Sequence, residues 1–147
     1  WADTTMASTC KKVLITSALE NPRLRSALVP DDFPSSIKGV IDKLPFNNVS
    51  KLSNIVLSNK SNIDLQKILE ALSKSLINKQ FLIGDTLSIA DISIAAQLSL
   101  LKFPTSAGPI LAGEGCQEFI NNPYLENIFQ WRDNLEELIF SAQSQKI

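Results

Sequence analysis

Phe81 to Leu101, reading FLIGDTLSIADISIAAQLSLL, constrains the fold of this chain more than any other stretch. Gly84 and Asp85 signal a turn. Ser88 then stands three residues before Asp91, the spacing at which each side chain reaches the other's backbone N–H and a helix start is capped reciprocally. With Ser88 as N-cap, Leu87 and Ile92 fall at the two positions of a hydrophobic staple, which fixes the angle at which the loop enters the helix. Asp91 also brings negative charge to the positive end of the helix dipole. Beyond the cap, Ile89, Ile92, Ile94, Ala95, Ala96, Leu98, Leu100 and Leu101 are interrupted only by the uncharged Ser93, Gln97 and Ser99. A helix apolar on nearly every face belongs in an interior. The run is shorter than the ~20 residues that cross a bilayer, so it reads as a core helix, ended by Lys102, Phe103 and Pro104.

The rest of the chain has the material to bury it. At 147 residues, one domain spanning 1–147 with a substantial core is expected. The 14 basic and 15 acidic residues leave a net charge of −1, which offers no general attraction to phosphate backbones, so nucleic acid is not an expected partner. There is no histidine, which excludes a Ser-His-Asp triad, a Cys-His pair and a histidine-based zinc site within this chain. Cys10 and Cys116 lie far apart in sequence with no CxxC, so no metal or disulfide framework is expected and a reducing, cytoplasmic setting fits. No membrane anchor is visible, and the opening at Trp1, directly into a helical pattern, reads as a cut edge. No nucleotide-binding glycine fingerprint occurs.

From Asp3 to Leu19, Met6, Cys10, Val13 and Leu14 recur at helical spacing, and Asn21 with Pro22 is expected to end that helix. Asn21 to Pro34 reads as a connection rich in proline. Ile37 to Leu44 and Val49 to Val56 predict two short helices. Ser61 and Asp64 repeat the capping spacing before a helix with Leu65, Ile68, Leu69, Leu72 and Leu76 on its apolar face. Its other face, with Lys67, Glu70 and Lys74, reads as solvated. Phe103 to Gln117 is glycine-rich and predicts an irregular crossing. Asn122 as cap and Pro123 at the first helical position open a last long helix through Trp131 and Ile139. Strand signals are nearly absent. The expected fold is all-α, five to seven helices around the buried helix that starts after Ser88.

The run FL-x-G-D-x-L-S-x-A-D followed by an apolar helix closely resembles the C-terminal helical domain of the cytosolic glutathione transferase family, and NP-x-L followed by QWRDNL, from Pro123 to Arg132, is a second echo. The resemblance covers most of the chain and is loose from Asn21 to Lys60. It implies that Ser88 and Asp91 form a helix cap important for folding. It implies also that the first helix lines the cleft toward a thioredoxin-like domain, which would make Met6, Cys10 and Val13 an apolar substrate wall. By the same resemblance Asp3 can reach the glutathione amine of a neighbouring subunit. Read from the residues themselves, Met6, Cys10 and Val13 are the core stripe of an amphipathic helix, as such stripes usually are, and Asp3 is a dipole-matched helix start. The family's thiol-activating group lies on the thioredoxin-like domain, so the resemblance assigns no catalytic residue here and implies inactivity for the isolated chain. For the whole protein it implies glutathione as co-substrate with no tightly bound cofactor, a hydrophobic electrophile as the other substrate, and a homodimer. Non-catalytic relatives carry the same cap, so an interaction module is the alternative. A third reading is redox regulation through Cys10 or Cys116.

Overall fold

The capped apolar helix is helical where the sequence places it. In the computed structural model, which describes residues 2–29, 39 and 59–144, it runs Ile89–Leu101 (α4). The described residues form an all-helical protein with six α-helices and no strand. A π-helical turn Ala2–Met6 leads into α1, Ala7–Glu20, followed by α2, Pro22–Ala27. Then come α3, Asn59–Ser75, the helix α4, a short α5, Gln117–Ile120, and the last helix α6, Glu126–Ser144, entered through a 3-10 turn Pro123–Leu125. The expected helices at 37–44 and 49–56 lie outside the described residues.

α4 packs against α1 and the π-helical turn on one side and against α6 on another, while α3 packs on α6 and α1. Cys10, Val13, Leu69, Leu98, Leu101, Leu125 and Ile128 lose all contact with solvent and form the centre of the core. Burying a Leu or Ile side chain contributes about 1.5–3 kcal/mol, so this contact set is the main cohesive force.

Several expectations change. Asn21 ends α1, as expected, but it also starts α2. Its Oδ1 accepts from the N–H groups of Arg23 (3.0 Å) and Leu24 (3.3 Å), with Pro22 at the first helical position. Part of the expected connection is therefore a helix, built on the same Asn-Pro signal that opens α6. The backbone is helical from Asn59, so Ser61 lies inside α3 and not at its cap. Glu70 is not simply solvated: its Oε1 accepts from Gln66 Nε2 and from Asn122 Nδ2, each at 3.0 Å, and so ties α3 to the start of α6. The stretch after α4 is irregular but pinned. Lys102 and Gly115 form an isolated antiparallel bridge, and a side chain at Gly115 would place its Cβ 2.2 Å from the Leu101 carbonyl oxygen. Only glycine fits there.

The helix α4 is not enclosed all round. Ile94, Ala95, Leu98 and Leu101 are buried, but Ile92 is 43% and Ile89 77% exposed. The flanking Leu87 (38%) and Ile83 (71%) are exposed as well, so the two staple residues both keep open surface.

Candidate functional site

The two ends of α4 hold the most constrained polar groups of the described residues. At the N-terminal end Ser88 is extended (φ −122°, ψ 166°), and the reciprocal pairing with Asp91 is present. Its stronger half belongs to the carboxylate: Asp91 Oδ2 accepts from the Ser88 N–H at 2.8 Å and from Ser88 Oγ at 2.5 Å. The other oxygen, Oδ1, accepts from the Leu82 N–H at 2.7 Å, a bond that draws the preceding loop onto the helix start. Asp91 is completely buried. That burial by itself would raise its pKa, but the hydrogen bonds from Leu82 and Ser88 outweigh it and leave the carboxyl below its ordinary value.

At the other end Arg132 of α6 is also completely buried. Its Nη1 donates to the Lys102 carbonyl, the C-cap of α4, and reaches Ser99 Oγ at 3.5 Å. Nε donates to Asp133 Oδ1 at 2.7 Å. Nη2 lies 2.7 Å from the same oxygen but off the line of a hydrogen bond, so Asp133 offsets its charge without an aligned contact. Lys102 Nζ and the Arg132 guanidinium both lie over the Phe129 ring, 5.4 Å and 5.7 Å from its centroid. An anion at the helix N-terminus and a cation at its C-terminus are the arrangement the macrodipole favours. The sequence shows the first of these and conceals the second, because Arg132 lies 30 residues beyond the carbonyl it caps.

Of the other singled-out residues, Met6, Cys10 and Val13 come together on the side of the first helix that meets the core. Met6 retains 1% exposure and the other two none, so as the chain stands none of the three presents surface to a ligand. Asp3 is apart from them, exposed on the π-helical turn.

The thiols are chemically quiet. Burial, with the nearby Cys116 adding to it, pushes Cys10 up to about 12. Burial likewise lifts Cys116 to about 11 despite a hydrogen bond with Ser17. Thiols so protonated at neutral pH are poor nucleophiles, which argues against the redox reading. Among the described residues there is no group of three or more metal-ligating side chains and no helix long and apolar enough to cross a membrane.

Three of the concavities on the described surface have a defined lining. One of about 380 Å³ lies between the turn after α3 and α6, with Trp131 and Leu135 among its lining. A second, about 440 Å³, runs from the end of α2 to Pro109 and Leu111, and a third, about 290 Å³, is acidic, with Asp133, Glu136 and Glu137. No family model, curated protein or solved structure matches the chain.

Proposed function

We propose that this chain is the substrate-side helical domain of a glutathione transferase, working with a thioredoxin-like domain that holds glutathione and stabilises its thiolate. The observation that carries the reading is the Asp91 carboxylate, buried and bound both to Ser88 and to the Leu82 N–H, because it gives a physical role to the Phe-Leu, Ser and Asp positions of the resembling run. The reaction is attack of the glutathione thiolate on a hydrophobic electrophile. A thiol with a pKa near 8.5 is mostly protonated at neutral pH, so the partner domain must stabilise the thiolate by hydrogen bonding. In this reading the first helix forms the wall of the electrophile site. Met6, Cys10 and Val13 support that wall from behind, and Asp3 is the member with free surface. The protein is a cytoplasmic homodimer using glutathione as co-substrate.

A non-catalytic interaction module is the second reading. The exposed Ile83, Leu87, Ile89 and Ile92, close in sequence around the start of α4, favour it, since exposed apolar side chains are suited to cover by another body.

The product of the whole open reading frame, assayed with reduced glutathione and a chromogenic aromatic electrophile, tests the two. Conjugation by that product, with none by residues 1–147 alone, supports the transferase. An inactive whole product, or one without a thioredoxin-like segment, leaves the module.

A further inference from the structure

We draw no further inference here: the strongest candidate, the surface patch of exposed Ile83, Leu87, Ile89 and Ile92 around the start of α4, carries nothing because nothing in the structure shows what covers it.

Discussion

The two ends of α4 solve the same electrostatic problem with opposite charges and from opposite distances along the chain. At the start, a buried carboxylate is satisfied by Ser88, three residues away, and by Leu82, nine residues away. At the finish, a buried guanidinium arrives from another helix to take the Lys102 carbonyl. The first end is a local device that can form as the helix forms. The second exists only once α6 has docked. A helix held in this way joins secondary structure to tertiary structure at one of its ends and not at the other.

The largest expected effect breaks the tertiary end. Arg132→Ala removes a buried cation, orphans the Lys102 carbonyl and leaves a void beside Phe129, which should cost about 3–5 kcal/mol of unfolding free energy in chemical denaturation. Asp91→Ala comes next, at about 2–4 kcal/mol, because the Leu82 and Ser88 N–H groups lose their acceptor in a buried place. Ser88→Ala should cost about 1–2 kcal/mol, since the carboxylate still binds two backbone donors. Wild-type midpoints for both cap variants would contradict the cap.

The pH dependence of the cap sharpens the comparison. The folded Asp91 carboxyl lies below its ordinary value, so its contribution is fully present above the unfolded value of about 3.9 and is lost as pH falls through the folded value. The stability gap between wild type and Asp91→Asn should therefore stay constant from neutral pH down to about 5 and shrink below about 4. A gap constant through pH 3 would contradict the burdened carboxylate. The smallest effect is expected at the thiols. In native protein, Cys10 and Cys116 should resist iodoacetamide at neutral pH and react at the rate of a free thiol only after denaturation.

What was legible in the sequence follows the same division between local and distant partners. The Ser88 cap and the Asn122-Pro123 start are read from spacing, because both partners sit within one turn. The Asn21-Pro22 pair carries the same chemistry, yet it reads as a helix end because the segment it opens is six residues long and shows no apolar period. The partnership of Glu70 with Asn122 spans 52 residues, so the nearby Lys74 offers itself first. Uniform apolarity identifies α4 as a core element but does not give its orientation: nothing in the run marks Ile89 and Ile92 for the outside and Leu98 and Leu101 for the inside. For the candidate wall the limit is of another kind. The helical stripe of Met6, Cys10 and Val13 is the same whether it faces a ligand or a core, and in this chain it faces the core.

Fixed at both ends, α4 should be the last element to open. Native-state hydrogen exchange on the wild-type chain measures this directly through the amides of Ala95, Leu98 and Leu101. They should be the slowest in the protein and should exchange only through global unfolding, with an opening free energy equal to that from denaturation. Exchange of these three amides by a local opening, faster than the central amides of α6, would contradict the account.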